Sequence, residues 1–123
     1  MEKKVVVIED DPKNMKLFKA IIQSIQDVKI YGETRGDRGL ILIKKVKPDL
    51  IILDIRLPKL DGIEICKQLR RLEDFRETPI LAVTAFAMKG DKERILKAGF
   101  DEYISKPIKV SEFKKKVRYH LKV

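Results

Sequence analysis

Apolar residues along this chain come in two rhythms that alternate. Short runs of aliphatic, often β-branched residues occur at KVVVI (4–8), VKIYG (28–32), LIIL (50–53) and PILAV (79–83), with a shorter one at EYIS (102–105). Each reads as a strand. Between them lie segments with helical spacing. In PKNMKLFKAIIQSI (12–25), Phe18, Ile21, Ile22 and Ile25 recur on one face. In GIEICKQLRRLE (62–73), Ile65, Cys66, Leu69 and Leu72 do the same. KGDKERILKAG (89–99) is a charged helix closed by Gly99, a residue suited to helix ends. GDRGLILIKKVK (36–47) is ambiguous: Leu40–Ile43 fits a strand, but length and position favour a helix. The final segment carries Val110, Phe113, Val117 and Leu121 on one helical face.

Five strand–helix units in alternation predict a parallel sheet with helices on both faces. Right-handed crossovers leave few topologies. The expected class is α/β, a flavodoxin-like (βα)5 doubly wound sheet with strand order 2-1-3-4-5. Ligands in such folds bind beyond the carboxyl ends of the strands, at the switch point between strands 1 and 3.

The residues at the end of each strand are therefore informative. Glu9, Asp10 and Asp11 come after strand 1, Asp54 after strand 3, Thr84 after strand 4, and Lys106-Pro107 after strand 5. Asp11 before Pro12 reads as a helix N-cap, which leaves Glu9 and Asp10 as a pair. With Asp54 they converge in one cleft, Thr84 and Lys106 on its other side. Clustered carboxylates need a proton or a cation to relieve their repulsion. An all-oxygen set suits Mg²⁺; zinc is unsuited, because Cys66 and His120 lie far from these strand ends. A carboxylate beside a metal is a candidate nucleophile for phosphoryl transfer. Lys106 and Thr84 are suited to hold the phosphoryl oxygens.

Bulk properties narrow the picture further. The 123 residues suggest one domain, and the lone cysteine, Cys66, excludes an internal disulfide. Neither a signal peptide nor a membrane-length apolar run is seen, so a soluble cytoplasmic protein without membrane insertion is expected. The net charge is +9, with the densest basic cluster at KVSEFKKKVRYHLKV. No zinc-finger or RNP-like signature accompanies it, so it reads as a solvated helix face and no specific nucleic acid is expected.

The segments VVVIEDDPKN, PDLIILDIRLPKLDGIEICKQLR and TPILAVTAFAMKGDKERILKAGFDEYISKPI, with their spacing, resemble response-regulator receiver domains of two-component signalling. The resemblance spans residues 1–123 as one receiver domain with no output domain, and is especially close to stand-alone receivers. It implies that Asp54 is the phosphoacceptor, that Asp10 binds the metal directly and Glu9 through water, and that Arg56 offers its backbone carbonyl. The metal would be Mg²⁺ or Mn²⁺. Thr84 and Lys106 would hold the phosphoryl group, and Tyr103 would move with Thr84 as a switch. The Lys106–Pro107 bond would be cis. Arg56 and Phe86 would flank the site and tune the lifetime of the phosphorylated state. Glu9 is a variant, since many receivers carry Asp there. The implied partners are a histidine kinase or histidine phosphotransfer protein and a downstream protein effector, the latter meeting a face around Phe86, Lys89, Tyr103 and the last helix. The chain would not be an enzyme beyond its own phosphorylation and dephosphorylation. The alternatives are a Mg²⁺-dependent phosphohydrolase with an aspartyl-phosphate intermediate, and a degenerate receiver acting as a constitutive binding module. A basic nucleic-acid binder and a flavin site are weaker: charge alone supports the first, and the anions after strand 1 repel the second.

Overall fold

The computed structural model describes residues 2–85 and 89–123, with Lys89 described by its backbone alone. Its strands are β1 (Lys3–Ile8), β2 (Val28–Glu33), β3 (Leu50–Asp54), β4 (Ile80–Thr84) and β5 (Glu102–Ser105). Its α-helices are α1 (Pro12–Gln23), α2 (Gly36–Val46), α3 (Gly62–Arg70), α4 (Lys89–Ala98) and α5 (Val110–Leu121). The sheet is parallel, in the order β2-β1-β3-β4-β5. The expected topology is the one observed.

Alternation along the strands divides the core into two layers. Val6, Ile8, Ile51, Leu53, Ile80 and Ala82 face α2, α3 and α4. Val5, Val7, Leu50, Ile52, Leu81 and Val83 face α1 and α5. β3 lies in the middle, and Leu50 to Leu53 have no solvent exposure. Burying each such side chain contributes about 1.5–3 kcal/mol. The continuous apolar run is therefore what a strand covered on both faces requires.

The ambiguous run at Leu40–Ile43 is helical. Gly36, Gly39, Leu40 and Ile43 form the buried stripe of α2, while Ile41 is 67% exposed. Side chains in a strand at this position would have needed cover on both faces. Helix α1 ends earlier than its periodicity suggests, at Gln23, where the Ser24 hydroxyl donates to the Ile21 carbonyl. Helix α3 also stops early, and Glu73–Phe75 form a 3-10 turn that buries Phe75. The Arg70 guanidinium organises this corner. It donates to the carbonyls of Gly99 (2.9 Å), Phe75 (2.7 Å) and Thr78 (2.7 Å), and pairs with Asp101.

Two glycines fix the loop after β3. The Gly36 backbone N–H donates to Pro58 at 3.0 Å, and a Cβ there would lie 1.6 Å from the Leu60 carbonyl oxygen. A Cβ on Gly62 would lie 2.3 Å from the Asp54 carbonyl oxygen. Backbone meets backbone at both points, so no larger residue fits without displacing the loop after Asp54.

Candidate functional site

The parallel order places the ends of β1 and β3 side by side, with β4 beside β3. Glu9, Asp10 and Asp54 each offer a carboxylate oxygen, and these three oxygens lie within 4.8 Å of one another. Asp10 is exposed, Glu9 has no solvent exposure, and Asp54 is 7% exposed. Asp11 is the α1 N-cap, its carboxylate accepting from the Lys13 backbone N–H at 2.9 Å. It is thereby assigned to the helix, as its place before Pro12 predicts.

Lys106 reaches into this cluster from the end of β5. Its Nζ lies 2.9 Å from Asp54 Oδ2 and 3.0 Å from Glu9 Oε1. The Asp54 contact is a hydrogen bond. The Glu9 contact is an ion pair off the hydrogen-bonding direction, so Glu9 Oε1 remains buried without an aligned donor. Glu9 Oε2 accepts from the Asp11 backbone N–H at 3.1 Å. The Lys106 backbone N–H donates to the Thr84 carbonyl at 2.9 Å, and the Lys106–Pro107 bond is cis. Thr84 is buried at the end of β4. The Arg56 backbone N–H donates to Asp54 Oδ1 at 3.1 Å.

Electrostatics reflect burial. Burial pushes the Glu9 carboxyl up to about 7, against the opposing pull of Lys106 and with a further push from Asp54. Burial disfavours the Lys106 ammonium, but Asp54 and Glu9 more than offset this and hold its pKa above the ordinary value. The cluster thus binds one cation of its own and retains affinity for a proton. Three carboxylates, one with a buried oxygen that no aligned donor reaches, fit a hard divalent cation.

Tyr103 lies on β5. It pairs across the sheet with Ala82, and Lys92 Nζ lies 5.3 Å from its ring centroid, a cation–π distance. Sequence reasoning missed Lys92, because α4 meets β5 only in the folded chain. It also missed that Lys106 touches Glu9 as well as Asp54. Beside the carboxylates, Arg56 and Arg94 line a cleft of about 700 Å³ with Asp10 and Asp61. Phe86 and the Lys89 side chain, expected as flanking and output positions, lie outside the described residues. No helix among the described residues is long and apolar enough to cross a membrane.

Comparisons with known proteins agree with this geometry. The family model for the response regulator receiver domain matches residues 5–118. The polar-differentiation response regulator DivK of Brucella anthropi is 42% identical over 121 residues, covering 98% of both chains. DivK of Brucella ovis is 43% identical over the same length. Among solved structures, the receiver domain of a Pseudomonas aeruginosa PAO1 sensor histidine kinase superposes with TM-score 0.89 at 29% identity, covering 100% of both chains. That crystal structure has a magnesium ion coordinated in its active site cleft. The BeF3-activated receiver domain of Klebsiella pneumoniae RstA gives TM-score 0.88 at 33% identity, over 98% of this chain and 99% of that one.

Proposed function

Because the chain belongs to the response regulator receiver domain family, we propose that Asp54 accepts a phosphoryl group from a phosphohistidine and that the resulting charge switches a protein-binding face. The donor is a histidine kinase or a histidine phosphotransfer protein, and the receiver of the signal is a downstream protein. The observation that carries this reading is the meeting of Lys106 with both Asp54 and Glu9 at the end of a buried strand.

Asp54 Oδ1 is held by the Arg56 N–H and Oδ2 by Lys106, so the carboxylate is oriented before any donor arrives. Such positioning is most of what phosphoryl transfer asks of a protein. One Asp54 oxygen attacks phosphorus, the P–N bond to the donor imidazole breaks, and the ring, protonated on its other nitrogen, takes that electron pair and leaves as neutral imidazole. Asp10 and Asp54, with Glu9 beside them, would hold a divalent cation, which would supply neutralisation of charge on the transferring group. Mg²⁺ fits this oxygen set. Lys106 then stays with the new phosphoryl oxygens. Thr84, at the next strand end, supplies a hydroxyl to them, and Tyr103 moves with Thr84. The chain turns over no external metabolite in this reading. A phosphohydrolase is disfavoured because the second position after Asp54 carries Arg56 where such an enzyme needs a carboxylate.

The experiment is labelling with phosphoramidate and magnesium, then intact-mass measurement. The native chain gains one phosphoryl group that is lost at alkaline pH, as an acyl phosphate requires. Asp54→Asn gains none. Undiminished labelling of Asp54→Asn sinks the assignment.

A further inference from the structure

The cleft beside the carboxylates has side chains that the chemistry of Asp54 leaves unused. The loop after β3, the start of α3 and helix α4 enclose about 700 Å³, with Asp10 in the lining. That volume suits a small molecule. Asp10 also belongs to the carboxylate cluster around Asp54, so the cleft adjoins the place where a phosphoryl donor must sit.

Its lining is apolar and charged at once. Leu57, Pro58 and Ile63 supply the apolar surface, and Leu57 and Ile63 are only partly buried against the core. Among the described residues, the charged side chains of the lining are Asp10, Asp61, Arg56 and Arg94. Both carboxylates have other work. Asp61 caps α3, accepting from the Glu64 backbone N–H at 2.9 Å, and Asp10 stands in the metal-binding set.

Arg94 is differently placed. Its guanidinium pairs at 3.3 Å with Asp91, one turn earlier on α4, and most of its side chain is exposed. An exposed pair of this kind contributes little and gives way to a better partner. A carboxylate or phosphate in the cleft is such a partner, since it takes two parallel bonds from the guanidinium fork.

A phosphoryl donor has two ends. The phosphoryl group goes to Asp54 and Lys106, and the leaving group needs a seat beyond the carboxylates. We propose that this cleft seats the leaving group of small acyl phosphates, and that Arg94 selects those whose acyl part joins an apolar body to a second anionic group. The inference rests on the reading of Asp54 as phosphoacceptor. An Asp54 oxygen attacks phosphorus, the P–O bond to the acyl oxygen breaks, and the carboxylate leaves with that electron pair. No proton has to move.

Benzoyl phosphate and 4-carboxybenzoyl phosphate test this, because they differ by one carboxylate on the same ring. Labelling with magnesium is followed by intact mass at several donor concentrations. The carboxylated donor should half-saturate the native chain at roughly fivefold lower concentration, and the preference should shrink at about 0.5 M salt. Arg94→Gln should bring the two donors level, with Arg94→Lys in between. Lys97→Gln removes the same charge from α4 outside the cleft lining and should keep the preference. Three results overturn the proposal: no preference in the native chain, a preference that survives Arg94→Gln, or an equal loss in Lys97→Gln. The inert analogue 4-carboxybenzylphosphonate, titrated with magnesium into ¹⁵N-labelled protein, separates the two readings. If neither donor labels the chain, the Asp54 assignment fails and the analogue alone decides the cleft. Amide shifts at Leu57, Ile63 and Arg94 that vanish in Arg94→Gln uphold it as an anion subsite, and shifts elsewhere overturn it.

Discussion

Lys106 and Asp54, 52 positions apart in the chain, meet with Nζ 2.9 Å from Oδ2. The lysine is the cation that lets two adjacent carboxylates share a buried cleft. Because its pKa is raised on folding, its stabilising contribution is complete at neutral pH. It disappears only as pH rises through that raised value. Lys106→Met is therefore expected to cost about 1–3 kcal/mol at pH 7. Millimolar magnesium should raise the melting temperature of this variant more than that of the native chain, since either cation relieves the carboxylates. Equal melting of the two proteins without metal would show that Lys106 is not the charge that holds the cleft together.

Asp10 has a different position from Glu9. It is exposed at the mouth, so Asp10→Asn should leave stability within about 0.5 kcal/mol. Losing one of three carboxylates should weaken magnesium binding roughly tenfold or more. Calorimetric titration with magnesium chloride measures this, and an unchanged affinity removes Asp10 from the ligand set.

At the other end of the sheet, Glu102 holds both Lys116 and His120. Burial raises its pKa, but the bonds from His120 and Lys116 more than compensate and leave it below the usual 4.5. A depressed carboxyl contributes stability above its unfolded pKa and loses it as pH falls through the folded value. Glu102→Gln should thus melt below the native chain at pH 7, by an amount worth under about 1 kcal/mol for a partly exposed pair. The gap should close below pH 4.5. A gap that persists or widens in acid would assign the effect to packing.

Cys66 is buried against α4, with its Sγ 3.6 Å from the Ala98 carbonyl oxygen. Burial pushes its thiol up to about 11, so at pH 8 it is both protonated and covered. Ellman's reagent should leave the folded protein unlabelled for as long as it stays folded and react once denaturant opens it. Rapid labelling without denaturant would mean that the α3–α4 contact opens locally.

Much of this was readable from the chain because the signals are local. The runs at 4–8 and 50–53 are strands because no other element hides four consecutive aliphatic residues on two faces. Glu9, Asp10, Asp54, Thr84 and Lys106 could be gathered because parallel topology sends every strand end to one edge. Periodicity misjudged where α1 and α3 stop, since the Ser24 cap and the Arg70 bonds that organise the next corner depend on single polar groups. It was also silent on Lys92 over Tyr103 and on Arg70 with Asp101. Those contacts join distant segments through long side chains, and neither spacing nor propensity encodes their reach.

The seats of Gly36 and Gly62 give the cleft unequal stiffness. On the α2–β3–α3 side, main chain rests on main chain around Pro58, Leu60 and Asp54. Nothing there can yield by rotating a bond in a side chain. Towards β5, Asp54 faces the end of a lysine side chain. A load applied at Asp54 therefore has a hard abutment on one side and a compliant one on the other. Displacement travels towards compliance, so residue changes around Lys106 at the end of β5 are the ones that retune how Asp54 yields, while the main-chain contacts at Gly36 and Gly62 serve as its fixed frame.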